Sequence, residues 1–348
     1  MPTKFLINPI SSSRGGTRLC EELRRACARL GYVEERDYSI EETCQGQTAK
    51  QAQRAAASWS RVLAVGGDGT VREVAEGLMK AGTGAVLGVI PQGTGNDLSR
   101  TVGLYDLWRR RRVVGTDRVL EWLMTAPTTP LDVLSANSDL YFVSYCSLGF
   151  DARVSQAYAR ARCHPKLRAV LRGRLINNCT YAFLALRHSR TRLPELQLRL
   201  ETGCRETARR APTSETGALF LPAGTTWVER RISGGACALI LSNVSSYAGG
   251  AQLVEGARYD DGRFEATVIP RLQQFPLLIA SRHWPWLRRA CSLAHWQVQR
   301  VCLPLPPGCA VQVDGEDCTE SLASRPELDI QVAGQIAVVC GPGGKVTR

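Results

Sequence analysis

The sequence predicts an α/β amino-terminal domain built on a parallel sheet, followed by a β-rich, sandwich-like carboxy-terminal domain. Three observations carry that expectation. Residues 1–130 alternate strand-like and helix-like segments, the pattern of βαβ units. Beyond Pro130 short strand-like segments follow one another with few helices between them. Within the first part, two stretches repeat one local design: an apolar strand, a glycine turn bearing a carboxylate, and a helix start. The expected domains are 1–130 and 131–340, with the last segment packing back on the first domain.

Phe5–Asn8 reads as the first strand and Thr17–Leu30 as an amphipathic helix. Tyr38–Glu42 is the second strand and Thr48–Ala57 the second helix. Arg61–Val65 is a buried strand, and Val71–Lys80 a helix with Val71, Val74, Ala75 and Leu78 on one face. Leu87–Pro91 is again a strand, leading through Gly93–Asp97 to a short periodic stretch ending at Leu104. In the second domain, strands are expected at Leu131–Leu134, Leu140–Ser147, Glu195–Leu200, Ala236–Asn243, Arg263–Ile269, Ala310–Val313, Leu328–Val332 and Ile336–Cys340. Val154–Ser189 is basic and helix-prone. Leu272–Ala290 is helical, with Pro276 and Pro285 as breaks, and Cys204–Gly235 reads as loops or an insertion.

Composition narrows the function classes. The chain has 348 residues, 44% hydrophobic and 22% charged, ordinary for a globular protein with a sizeable core. No run approaches the roughly 20 apolar residues of a membrane span. The first residues enter a strand without a signal-peptide pattern, so the expected location is cytoplasmic. The net charge of +12 suits an anionic surface or a phosphorylated ligand, and no zinc-finger or RNP-type segment accompanies it, so nucleic acid is not expected as a partner. Thirteen cysteines are scattered without a C-x-x-C pair. Cys20 and Cys27 lie on one helix face, and most of the set reads as reduced, buried apolar residues.

The turn Gly66-Gly67-Asp68-Gly69-Thr70 carries the most chemistry. Glycines let backbone N–H groups approach a phosphate, and a helix start adds partial positive charge. A carboxylate there repels a phosphate unless a cation lies between, so Asp68 points to a magnesium–nucleotide site. The other reading is a tight turn with Asp68 as a helix cap. Gly93-Thr94-Gly95-Asn96-Asp97 repeats the design, and two such turns on neighbouring parallel strands would bring Asp68 and Asp97 to one carboxyl edge of the sheet. Asn8-Pro9-Ile10-Ser11-Ser12-Ser13-Arg14-Gly15-Gly16 is either a nucleotide-wrapping loop or a solvated one. Asp260-Asp261-Gly262 is either a cation clip or a β-turn holding its own backbone. Glu316, at a strand end after Asp314-Gly315, is either a general base or part of a hairpin turn.

In this order the segments resemble the diacylglycerol kinase catalytic-domain family, which includes bacterial lipid kinases, sphingosine kinases and ceramide kinases. The matching pieces are Asn8-Pro9 with its Ser/Gly loop, Thr43, Gly66–Thr70, Gly93–Asp97, Leu131-Asp132-Val133, Ser147-Leu148-Gly149-Phe150-Asp151, Asp260-Asp261-Gly262 and Asp314-Gly315-Glu316. The resemblance implies a two-domain fold with the active site in the interdomain cleft. It implies ATP against Asn8, Pro9, Ile10, Ser11, Ser12, Thr43, Gly67, Asp68, Gly69, Thr70, Val71, Thr94 and Asn96. It implies that Asp68, Asp97 and Asp132 hold a catalytic Mg²⁺ through water, that Glu316 takes the proton of a lipid hydroxyl, and that Asp260, Asp261 and the backbone of Phe264 form a second, structural cation site. Phosphoryl transfer fits such parts, since it needs a phosphate clamp, charge neutralisation and an oriented hydroxyl.

A lipid acceptor implies a membrane surface. Arg160, Arg162, Lys166, Arg168, Arg172 and Arg174 interleave with Leu167, Val170, Leu171, Leu175 and Ile176, a basic amphipathic pattern suited to anionic headgroups. Arg109–Arg112 adds a second cluster, and Trp284, Trp286 and Trp296 are candidate interfacial anchors. The expectation is thus peripheral membrane association; a homodimer stands among the expected partners. Three departures from the family pattern are Ser12 for a glycine, Arg72 for an asparagine, and Glu255-Gly256-Ala257 where a proline is usual. The alternatives are a kinase of a soluble acceptor such as NAD, or a non-catalytic lipid- or nucleotide-binding regulator.

Overall fold

The computed structural model describes residues 1–10, 16–163, 174–202, 226–284, 286–291 and 293–342. Two compact units are present: Met1–Val133 with Tyr141–Val143 and Gly334–Arg348, and Leu134–Leu140 with Ser144–Ala333.

The first unit begins β1 (Thr3–Ile7), α1 (Gly16–Arg29), β2 (Tyr38–Glu42), α2 (Thr48–Ser58), β3 (Arg61–Gly66), α3 (Asp68–Ala81) and β4 (Val86–Pro91). The strands are parallel in the order β2-β1-β3-β4, with Ile7 level with Glu42 and Val65, and Val65 level with Ile90. The β3 side chains are all buried, as expected of a parallel strand covered on both faces. Helix α1 buries Leu19, Cys20, Leu23, Ala26 and Cys27. Helices α2 and α3 approach closely because Gly77 has no side chain: a Cβ there would stand 2.3 Å from the Ala49 carbonyl and 2.6 Å from the Ala52 Cβ.

Three helices follow: α4 (Asp97–Thr101), α5 (Leu104–Val114) and α6 (Thr116–Thr125), of which the sequence had announced only the periodic stretch to Leu104. The end of α6 is held from inside. Buried Arg61 donates to the Leu123 carbonyl at 2.9 Å and the Ala126 carbonyl at 2.6 Å, satisfying acceptors that a helix end leaves open. Strands β5 (Thr128–Ala136) and β6 (Leu140–Phe142) close this part of the chain.

The second unit contains β7 (Tyr145–Gly149), α7 (Phe150–Cys163), α8 (Arg174–Arg187), β8 (Leu196–Thr202), β9 (Thr226–Ile232), β10 (Ala238–Ser242), β11 (Ser246–Tyr247), β12 (Ala251–Gln252) and β13 (Phe264–Ile269). Then come α9 (Gln274–Ala280), α10 (Leu287–Ala290), β14 (Ala294–Val298), β15 (Arg300–Pro304), β16 (Val311–Val313), β17 (Glu316–Asp317) and α11 (Thr319–Ala323). The last strand, β18 (Glu327–Val339), starts in the second unit and ends in the first, where Val338 pairs in parallel with Leu87. One sheet of this unit has the order β14-β13-β10-β7-β16-β17 and is antiparallel throughout. A second antiparallel set runs from β18 through β15 and β8 to β9. The α/β and β-rich halves are those the sequence predicts.

Several details differ. Helix α3 starts at Asp68, inside the glycine turn, not at Val71. The expected strand Leu140–Ser147 is two strands, β6 and β7; between them Asp314 takes the N–H groups of Ser144 and Tyr145 at 2.9 and 2.8 Å, diverting the backbone. Leu328–Val332 and Ile336–Cys340 are parts of one strand, because Gly334 at φ +158 permits extended backbone to continue. Thr226–Ile232, within the stretch read as loop, is strand β9. It pairs antiparallel with Leu196–Thr202, Leu196 opposite Ile232 and Leu200 opposite Val228. Leu272–Ala290 resolves into α9 and α10. Strands β14 and β15 were not expected. Residues 164–173, which hold much of the basic tract, and 203–225 lie outside the described residues. Eight cysteines are buried, Cys20, Cys27 and Cys302 among them, and burial pushes Cys27 up to about 12 and Cys302 up to about 11.

Candidate active site

At the carboxyl ends of β1, β3 and β4 the three predicted turns meet. Asn8 leaves β1 with its N–H on the Val65 carbonyl at 3.0 Å, and its amide donates to the Thr70 hydroxyl at 2.9 Å. The Asn8 side-chain oxygen takes the Ile10 N–H at 3.0 Å, shaping the start of the first loop. Thr43 follows β2, its N–H on the Ile7 carbonyl at 2.8 Å. Ser11 and Ser12 lie outside the described residues, while Pro9 is half-buried and Ile10 exposed.

The two glycine turns touch through backbone. A Cβ on Gly93 would stand 2.5 Å from the Gly67 Cα, and one on Gly67 would stand 3.2 Å from the Gly93 Cα. Gly66 is equally constrained, since a Cβ there would lie 2.5 Å from the Thr70 hydroxyl. Gly67 is the N-cap of α3, so the N–H groups of Asp68, Gly69 and Thr70 begin the helix without intrahelical acceptors. They form the positive end of the helix, which favours an anion. Val71 is different: its N–H bonds to the Gly67 carbonyl at 3.0 Å and its side chain is buried.

Asp68 crosses from the first turn to the second. One carboxylate oxygen takes the Asn96 N–H and the other the Asp97 N–H, each at 2.8 Å. It therefore caps α4. Asn96 sits at φ +56, held there by its own amide, which bonds Gly93 N–H at 2.9 Å and Gly93 carbonyl at 2.7 Å. A Cβ on Gly95 would stand 2.7 Å from an Asp68 oxygen and 3.3 Å from an Asp97 oxygen, so the two carboxylates converge where only glycine leaves room. Thr94 is exposed at the tip of this turn.

Asp132 is buried on β5 and accepts the Gln335 amide at 2.7 Å. Among the described residues, no group of three or more His, Cys, Asp and Glu side chains gathers as metal ligands, so Asp68, Asp97 and Asp132 form no direct triad. The Asp68 and Asp97 carboxylates, converging beside Gly95, are oxygen donors of the kind a hard divalent cation takes.

Sequence reasoning missed Arg100. Its Nε donates to the Gly95 carbonyl at 2.9 Å while its guanidinium lies over the Tyr105 ring, 3.6 Å from the centroid. An arginine shortly after a glycine turn, followed by an aromatic, was the available signal. Arg72, the departure from the family pattern, is buried on α3 with Glu76 at 3.5 Å, and Glu76 also pairs with Lys80.

In the second unit Glu316 lies on β17, exposed, opposite Val313 in a hairpin. The turn residues Asp314 and Gly315 have φ of +47 and +84, the conformation of a tight two-residue hairpin. Asp314 is buried and anchors this turn to β7 through the Ser144 and Tyr145 N–H groups. Gln312 supports it further, accepting the Gly315 N–H at 2.7 Å and donating to Ser147 and Asp151 at 2.8 and 3.2 Å. Desolvation pushes the Asp151 carboxyl up, against the hydrogen bonds from Ser147, Tyr247 and Gln312.

Asp260 pairs with Arg258 at 3.0 Å, and Asp261 accepts the Arg263 N–H at 3.2 Å and the Gln297 amide at 3.0 Å. Phe264 is buried at the start of β13. Burial pushes the Asp261 carboxyl up, and burial, reinforced by Asp261, pushes Glu265 up to about 7.

The diacylglycerol kinase catalytic domain matches residues 2–135 and the diacylglycerol kinase accessory domain residues 141–317. The chain belongs to the diacylglycerol kinase family. It is 28% identical over 219 residues to a Pseudomonas fluorescens protein named probable lipid kinase YegS-like, covering 63% of this chain and 58% of that one. It is 33% identical over 115 residues to a Klebsiella pneumoniae protein of the same name, covering 32% of this chain and 33% of the relative. A Bacillus subtilis diacylglycerol kinase is 33% identical over 108 residues, 31% of this chain and 33% of that one. The chain thus spans about a third to somewhat over half of the length of these curated relatives. In fold it is similar to a crystal structure of a diacylglycerol kinase from Bacillus anthracis, with a TM-score of 0.62 and 19% identity over 98% of this chain and 97% of that one.

Proposed function

We propose that this protein is an ATP-dependent lipid kinase, moving the γ-phosphate to a hydroxyl of a diacylglycerol-like, sphingoid or ceramide lipid. The observation that carries this reading is the Asp68 carboxylate binding the N–H groups of Asn96 and Asp97, where the second glycine turn ends and α4 begins. It fixes two glycine turns as one rigid backbone surface beside the start of α3, suited to a polyphosphate. Family membership and the names of the relatives support the lipid as acceptor.

On this reading Asn8, Thr43, Gly67 to Thr70 and Thr94 face the nucleotide, and Arg100 holds the second turn while adding positive charge beside it. Asp68 and Asp97, with Asp132 on β5 of the same unit, would hold a hydrated Mg²⁺. When bound, such an ion neutralises charge on the β- and γ-phosphates. Glu316 is the proposed base. Its carboxylate takes the lipid hydroxyl's proton as that oxygen forms its bond to the γ-phosphorus and the bond from phosphorus to the β–γ bridging oxygen breaks, releasing ADP.

Radiolabelled ATP incubated with diacylglycerol, sphingoid base, ceramide and, as a soluble acceptor, NAD tests the reading. Label in a lipid supports it. Label in NAD without lipid favours the soluble-acceptor alternative, and tight ATP binding with no labelled product favours a regulator.

A further inference from the structure

Six of the eleven large apolar side chains that stand exposed among the described residues fall in two short segments of the second unit. Ile176, Phe183 and Leu186 lie on α8, at 42%, 62% and 75% exposure. Ile279, Trp284 and Trp286 lie in and after α9, at 37%, 56% and 66%. Isolated exposed apolar residues need no explanation, but a cluster does.

Helix α8 is apolar on two faces. Its inner face places Tyr181, Leu184 and Ala185 against a core cluster that includes Phe150, Phe275 and Leu278, and Tyr181 stacks on Tyr158 of α7 with centroids 4.1 Å apart. Its outer face carries Ile176, Cys179, Phe183 and Leu186, spaced by three, four and three residues, all exposed. Spacing of this kind forms a continuous stripe along a helix. The core behind α8 also receives Phe275, Leu277 and Leu278 of α9, so both exposed segments are mounted on the same packed support.

Charge decides what the stripe meets. From Ala152 to Pro194 the chain holds ten Lys and Arg and no acidic residue. From Ala266 to Val313 it again holds no acidic residue, while Arg271, Arg282, Arg288, Arg289 and Arg300 fall within it. Arg187 and Arg190 stand exposed at the end of α8, and Arg282 stands exposed beside Trp284. Two copies joined through this stripe would bring arginine against arginine. An anionic bilayer offers apolar chains below phosphate headgroups, which match Phe, Leu, Ile and Trp beside arginine.

We propose that the outer face of α8, with Trp284 and Trp286 as a second anchor, is the surface by which this protein docks on an anionic lipid bilayer. The inference stands on this geometry and charge, apart from the transfer chemistry.

Co-sedimentation of the full chain with vesicles tests it, comparing phosphatidylcholine alone with an equimolar phosphatidylcholine–phosphatidylglycerol mixture. The wild type is expected to bind the anionic vesicles at least about tenfold more tightly, with affinity falling as salt rises. Phe183→Asp with Leu186→Asp is expected to lose about tenfold or more of that affinity, and Trp284→Ala with Trp286→Ala a smaller part. These side chains are exposed, and circular dichroism of each variant checks that the fold is kept. The proposal is overturned if the wild type ignores anionic vesicles or the α8 variant binds as the wild type does. It is equally overturned if light scattering finds a wild-type dimer that the α8 variant dissolves, which would assign the stripe to a second copy. Vesicle binding needs no ATP, so a failed kinase assay leaves this result standing, and the reverse.

Discussion

Asp68 and Asp97 are joined by a 2.8 Å hydrogen bond from the Asp97 N–H to an Asp68 carboxylate oxygen, while the other oxygen takes the N–H of Asn96. The carboxylate of one glycine turn is thereby the structural cap of the next. Asp68→Asn replaces one acceptor by an NH₂ group that faces an N–H. The variant should lose about 1–3 kcal/mol of stability. Hydrogen exchange checks the cause: the amides of Asn96 and Asp97 should exchange faster, with those of β1 unchanged.

Gly93 and Gly67 are in backbone contact, so Gly93→Ala must push the turns apart. ATP affinity, measured by calorimetry, should fall about tenfold or more. Gly84→Ala is the contrast. Its φ of +77 strains an alanine, but nothing lies within 4 Å of the new methyl. That variant should lose about 1 kcal/mol of stability and keep its ATP affinity.

The hairpin separates support from chemistry. Asp314→Ala strands the Ser144 and Tyr145 N–H groups and should destabilise the protein by about 1–3 kcal/mol in urea denaturation. Glu316→Gln, at an exposed position, should stay within about 0.5 kcal/mol of the wild type.

Arg300 and Asp329 form a two-pronged ion pair at 2.8 and 2.7 Å, and the guanidinium holds the Asp329 carboxyl below its ordinary range. A depressed carboxyl contributes stability above its unfolded pKa, lost as pH falls through the folded value. Both partners are partly exposed, so the contribution is modest. Asp329→Asn should be less stable by about 0.5–1 kcal/mol at about pH 7, with the difference closing as pH falls through and below the ordinary carboxylate range. Thermal melts across that range provide the check.

The alternating first half was legible because parallel strands and amphipathic helices have distinct periods. Arg61–Gly66 and Tyr38–Glu42 lie where the pattern puts them. Strand β9 was hidden because it carries three consecutive charged residues, Glu229 to Arg231, and no alternation of its own, so its pairing shows only once β8 lies beside it. The break between β6 and β7 depends on Asp314, more than 160 residues away in the chain, so no local pattern announces it. The glycine turns were legible as turns, yet the crossing of Asp68 to the second turn was not. A cap on its own helix and a cap on a neighbour have the same local sequence. Arg100 was passed over for the same reason, since its partner Gly95 becomes visible only when the turn is folded.

The central claim is that this chain transfers phosphate from ATP to a lipid hydroxyl, with Asp68 organising the nucleotide turns and Glu316 serving as base. The most direct measurement is lipid phosphorylation from radiolabelled ATP by the wild type, Glu316→Gln and Asp68→Asn, with ATP affinity measured on each. The account predicts a labelled lipid with the wild type. Glu316→Gln should keep ATP affinity within about twofold and lose roughly 100-fold or more in turnover. Asp68→Asn should lose both. No labelled lipid with any acceptor, or full turnover in Glu316→Gln, would contradict it.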